Sequence, residues 1–72
     1  MPRLIPLKPK EVEKILRKHG FEHIHTVGSH RQFFNSQTKA HTTVPFGHRD
    51  LAKGTLKAII NQSGLSEKLF RR

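Results

Sequence analysis

Two apolar stripes at helical spacing, each followed by a glycine and then at once by a large apolar residue, constrain this chain more than any other feature. Val12, Ile15 and Leu16 occupy i, i+3 and i+4 ahead of Gly20-Phe21, and Leu56, Ile59 and Ile60 do the same ahead of Gly64-Leu65. That spacing gathers apolar side chains on one helix face, and a glycine in the left-handed conformation with an apolar residue behind it is the Schellman way of ending a helix. The pattern predicts a first helix over about 9–19. Pro9 falls where a first turn tolerates it, Glu11 and Glu13 lie near the positive end of the dipole, and Lys10, Lys14, Arg17 and Lys18 face water. A second helix is expected from Gly54-Thr55 to about Ser63.

The residues between the stripes have the period of strands. Glu22 to Val27 predicts a short strand with Ile24 on one face and His23 and His25 on the other. Gly28-Ser29 then separates it from His30-Arg31-Gln32-Phe33-Phe34-Asn35, which is the sequence of a two-residue hairpin with glycine at the positive-φ position. His30 falls first in the second strand, opposite Val27. A polar turn over 35–39 leads to a β-branched third strand, His41 to Val44, closed by Pro45. Residues 1–8 read as an extended lead-in, 46–53 as a basic loop, and 67–70 as a last short turn capped by Ser66 that packs Leu69 and Phe70 on the core.

The order is α-β-β-β-α. Two one-striped helices and three strands satisfy their faces most simply with both helices on one side of a three-stranded antiparallel sheet. The other side stays open, an α+β layout like that of double-stranded-RNA-binding domains. A chain of 72 residues buries only about 60% of its unfolded surface, so 1–72 is read as one domain without a deep cavity.

Composition removes several classes of function. The absence of cysteine excludes disulfide scaffolds, thiolate zinc sites, iron–sulfur clusters and cysteine nucleophiles, and fits a cytoplasmic location. The longest apolar runs are two or three residues, such as Ala58-Ile59-Ile60, which predicts no membrane span and no signal peptide. Fourteen Lys and Arg against five Asp and Glu give a net charge of +9, so the natural partner is a polyanion. Basic residues recur from Arg3 to Arg72 without forming a block, as on a folded basic surface. The chain lacks Trp and Tyr and any long amphipathic helix with a bulky aromatic face, which favours nucleic acid over a membrane.

The five carboxylates, Glu11, Glu13, Glu22, Asp50 and Glu67, are scattered, so a two-metal nuclease site is not supported. Six histidines are the excess. Imidazole titrates near neutral pH and can accept or donate a proton there. RNA carries its own nucleophile, the 2′-hydroxyl, and its cleavage requires a base, an acid for the leaving oxygen and cations for the phosphate. His30 is the foremost candidate because a tight turn and a strand fix its direction. His23 and His25, joined by His41 across the sheet, could approach a metal, but imidazoles without a carboxylate or thiol select weakly; no metal or cofactor is expected. His48, Arg49 and Lys53 lie where phosphate would meet the second helix's N-terminus, and Ser29, Arg31 and Lys57 complete the expected RNA-binding set.

Lys18-His19-Gly20-Phe21, Gly28-Ser29-His30-Arg31-Gln32-Phe33, Val44-Pro45 with His48, Lys53-Gly54-Thr55-Leu56, Ile59-Ile60 and Ser63-Gly64-Leu65-Ser66, taken together, resemble the HicA-type toxins over nearly the whole chain. The resemblance implies a double-stranded-RNA-binding-domain-like fold and a ribosome-independent mRNA endonuclease of a type II toxin–antitoxin pair. It further implies a free monomer neutralised in a complex with a HicB-type antitoxin, with His30 carrying the family's catalytic histidine role. The sequence departs from the family pattern at Asn35 to Lys39, where an Asp-Gly turn is common, and at Gln32, where an aliphatic residue is common. His23, His25 and His41 match no family role.

Overall fold

The computed structural model describes residues 7–47 and 49–70; most of the extended lead-in, and His48, lie outside them. The elements run α1 (Pro9–Lys18), β1 (Phe21–Val27), β2 (His30–Asn35), β3 (His41–Pro45), α2 (Lys53–Ser63) and a 3-10 turn (Glu67–Phe70). The three strands form one antiparallel sheet in the order β1-β2-β3. This is the α-β-β-β-α arrangement expected from the stripes.

Both helices start and stop for local reasons. Pro9 opens α1, and the Lys8 backbone N–H donates to Glu11 Oε1 at 3.0 Å. At its far end His19 and Gly20 donate to the carbonyls of Leu16 and Arg17 with Gly20 at φ 95°. A side chain there is doubly costly, because a Cβ would also lie 3.1 Å from Asn35 Nδ2. The Gly64 backbone has φ 71°, and the buried Ser63 hydroxyl donates to the Ile60 carbonyl while accepting from the Leu65 N–H. The second helix begins one residue earlier than expected, at Lys53, after Ala52 in extended conformation.

The core is the set the periodicity picked out, closed from both ends. Val12 and Leu16 of α1 and Leu56, Ile59 and Ile60 of α2 meet Phe21, Phe33 and Val44 of the sheet, with Leu7, Leu51 and Phe70 filling the flanks. Leu51 donates its backbone N–H to the Leu7 carbonyl at 2.8 Å, tying the approach to α2 to the approach to α1. Of the two residues expected on the core from the last turn, Phe70 is fully buried, whereas Leu69 remains 39% exposed.

Register assigns every sheet residue to a face. Phe21 pairs with Asn35, His23 with Phe33, Phe33 with Thr42 and Arg31 with Val44, and these residues face the helices. Glu22, Phe34 and His41, then His25, Gln32 and Thr43, then Val27, His30 and Pro45 lie on the outer face. The expected alternation in β1 does not hold. The register shifts between His23 and His25, a β-bulge at Ile24 that leaves this residue 53% exposed. The extra residue flips the face: His23 falls on the helix side, its ring 5.6 Å from that of Phe33, and His25 on the open side. The two histidines therefore do not share a face.

Asn35 organises the polar turn. Though only 3% exposed, it has partners on all sides: its Oδ1 accepts from the N–H groups of Gln37 and Thr38, and its Nδ2 donates to the His19 carbonyl at the end of α1. Its backbone exchanges further bonds with Lys39 and Ala40, and Lys39 takes φ 65° to close the loop. One buried side chain thus joins the β2–β3 turn to the helix cap and supplies the bonds that an Asp-Gly turn would make differently.

Candidate functional site

The β1–β2 hairpin sets the position of His30. Gly28 takes φ 60° and Val27 pairs directly with His30, so the connection is the two-residue turn read from Gly28-Ser29. The Ser29 carbonyl accepts the Phe46 N–H at 2.6 Å, which ties the turn to the chain leaving β3. His30 is consequently held between Val27 and Pro45 at the corner of the open face. Its ring is exposed and has no protein partner among the described residues.

The α2 helix runs beside β3 and extends that face. A groove of about 480 Å³ lies between them, with His30, His41, Thr43 and Pro45 on the strand side and Thr55, Ala58, Ile59 and Gln62 on the helix side. Among the described residues it has no Lys, Arg, Asp or Glu in its lining. A second depression of about 370 Å³ shares Pro45 and Thr55 with the groove and leads to Arg49 and Asp50. A third, of about 260 Å³, shares Phe46, Gly47 and Arg49 and reaches Lys8 and Lys10. These depressions adjoin one another, with histidines at one end and the basic side chains Arg49, Lys8 and Lys10 toward the start of α1.

The expected site residues separate on this surface. His30 lines the groove and Arg49 the adjoining depression, while Ser29 is exposed in the turn beside His30. Lys53 and Lys57 are exposed one turn apart on α2, whose N-terminus carries no side-chain cap. His48 lies outside the described residues, although Gly47 and Arg49 on either side of it line the adjoining depression. Arg31 is directed elsewhere. Its Nη1 lies 3.3 Å from Glu13 Oε1, and its guanidinium stacks 4.1 Å from the centre of the Phe46 ring, all on the helix side of the sheet. Glu13 also holds Arg17 at 2.9 Å, so this carboxylate clamps two arginines.

The match to known families rests on this same stretch of elements. A model of the HicA toxin of bacterial toxin–antitoxin systems matches residues 9–65. The chain belongs to the HicA toxin family. No curated protein matches it significantly. In this HicA toxin the matched stretch opens on the first residue of α1 and closes on Leu65, the apolar residue behind Gly64, and so takes in the whole sheet and both helices. Membership makes the protein a toxin with an antitoxin partner. No helix among the described residues is long and apolar enough to cross a membrane, and none of the described His, Asp or Glu gather in threes about a point where a metal could sit.

Of the described residues that line the groove, only His30 belongs to the site set expected from the sequence. His41 was visible as a third-strand histidine, and pairing β2 with β3 in register would have put it on the His30 face. Gln62 had no such signal, because the docking of α2 against β3 that brings it there is a tertiary event.

Proposed function

We propose that this HicA toxin is an endoribonuclease that cleaves mRNA without a metal ion, with His30 as general acid or base. The observation that carries the reading is the exposed His30 ring, without a partner among the described residues, set by a two-residue turn at the end of a groove that adjoins basic side chains. In the reaction, a base takes the proton of the 2′-hydroxyl and O2′ attacks the adjacent phosphorus. The P–O5′ bond breaks, and the departing O5′ receives a proton. His30 serves one of these two proton transfers, which typically contribute about 10²–10⁴-fold in rate. Arg49, Lys53 and Lys57 supply positive charge to the phosphates and the Ser29 hydroxyl a hydrogen bond, with His48 in the same loop by sequence. Arg31, already engaged by Glu13 and Phe46, positions the loop. Among the described residues no carboxylate lines the His30 groove, and Glu13 is spent on two arginines, so these residues do not form the acidic cage of a two-metal nuclease.

The antitoxin is proposed to be of the HicB type and to act in the cytoplasm on a monomeric toxin. An acidic partner surface suits a chain of net charge +9, and seating it over α2 and the open face excludes RNA by occupation. The decisive experiment incubates purified protein with RNA in excess chelator. Cleavage that disappears in His30→Ala supports the nuclease, whereas a mobility shift with intact RNA leaves a non-catalytic RNA-binding module of the same fold. Titrating antitoxin against RNA on the His30→Ala protein tests occlusion, and simultaneous binding without loss of affinity would refute it.

A further inference from the structure

We infer that the groove end opposite His30, built by His41, Thr43 and Gln62, is a nucleobase subsite in which the Gln62 amide favours a base presenting a carbonyl over one presenting an amino group. This rests on the ribonuclease reading and adds a specificity to it.

Spacing separates the two ends of the groove. His30 pairs with Pro45 and His41 with Phe34, so they share the open face four residues apart along the strand pair, roughly 13 Å at ~3.3 Å per residue. Proton transfer to one phosphate needs groups within about 3 Å of the reacting oxygens. His41 therefore serves a neighbouring nucleotide rather than the phosphate at His30. Among the described residues the lining there has no lysine or arginine for a phosphate, and Ala58 and Ile59 supply apolar surface for the flat face of a base. The whole groove, about 480 Å³ with its His30 end included, falls within the range of about 300–1,000 Å³ typical of small-ligand sites.

Hydrogen-bond accounting sets the preference. Thr42 Oγ1 donates to Gln62 Oε1 at 2.9 Å, which uses the amide oxygen and leaves both N–H groups without a partner among the described residues. His41 Nε2 lies 3.2 Å from Gln32 Oε1. An amide oxygen can only accept, so in this contact His41 Nε2 carries the hydrogen and spends that donor within the protein. Gln62, its oxygen held by Thr42, thus offers its amide N–H groups to the groove as donors. The carbonyls of uracil and guanine satisfy them. The amino groups of cytosine and adenine would oppose donor to donor, leaving polar groups unpaired.

Uridine and cytidine decamers make the test, because their bases differ at position 4 by carbonyl against amino. Affinities are measured by fluorescence anisotropy at one fixed salt concentration on His30→Ala protein, which prevents cleavage. The expected result is about tenfold tighter binding of the uridine decamer. Adding Gln62→Leu brings the two affinities together, and Gln62→Glu, which replaces donors by acceptors, turns the preference toward cytidine. Thr42→Val frees the amide to rotate and weakens the preference while leaving every groove side chain in place. Gln62 is exposed, so its variants keep the fold, which thermal melts verify. Equal affinities in the parent protein, or a uridine preference that survives both Gln62 variants, overturns the subsite alone. Gln62 variants that alter antitoxin binding while both decamers bind the parent equally would make this groove end a protein-docking surface instead. Failure to bind either decamer removes the RNA reading together with the subsite.

Discussion

Alternate residues of β2 live in two different environments. Arg31, Phe33 and Asn35 face the helices, where Phe33 is fully buried, Asn35 has every side-chain polar atom engaged and Arg31 lies between Glu13 and Phe46. His30, Gln32 and Phe34 face outward, and the His30 ring and the Gln32 amide N–H groups have no protein partner among the described residues. A face whose polar groups are satisfied internally has little hydrogen bonding to offer a ligand, whereas one left unpaired is available to an outside molecule. One strand thus divides its residues between an inner face satisfied within the protein and an outer face left open, by the two-residue period alone.

Substitutions on the two faces should have opposite signatures. The largest effect on stability is expected from Phe33→Ala, at about 3–5 kcal/mol for emptying a core aromatic site; chemical denaturation measures it, and a cost under 1 kcal/mol would mean that the helix face does not carry the fold. On the outer face His30→Ala should lower RNA cleavage by about 10²–10⁴-fold while stability changes by less than about 0.5 kcal/mol. A variant that unfolds instead, or that cleaves normally, breaks the division at its most informative position.

Asn35→Ala sharpens the inner side. It strips acceptors from the Gln37 and Thr38 N–H groups and a donor from the His19 carbonyl, so a loss of about 1–3 kcal/mol is expected, with faster hydrogen exchange in both the turn and the end of α1. Confinement of the change to the turn would show that the link to α1 is incidental. The neighbour of His30 gives a quieter contrast: Arg31→Ala should cost under about 1 kcal/mol, as a partly exposed ion pair does, and leave cleavage near its original rate. Loss of cleavage there would return Arg31 to the RNA-binding set. Smallest of all, Lys53→Ala should reduce the slope of log affinity against log salt by about 0.7, the counterion release of one phosphate contact on a single strand, and an unchanged slope would take Lys53 off the RNA path.

Local signals carried most of the fold. The positions of Pro9, Gly20, Gly28 and Gly64 mark where the backbone must start, reverse or stop, and their effects depend only on adjacent residues. The same turn chemistry made the position of His30, first in β2 and opposite Val27, legible. Reading the alternation in β1 failed because a bulge is created by pairing, and nothing in Glu22 to Val27 announces which residue β2 will leave unpaired.

The sequence by itself determined the order of the elements, the core stripes, the basic balance and the hairpin that presents His30, since each follows from spacing within a few residues or from composition. Tertiary structure alone decided that Arg31 turns to Glu13 and Phe46 while His30 turns outward beside α2, that His23 and His25 part company, and that His41 and Gln62 share one groove. Those outcomes depend on strand register and on the docking of a helix against an edge strand, in which residues distant along the chain compete for the same partners and the same space.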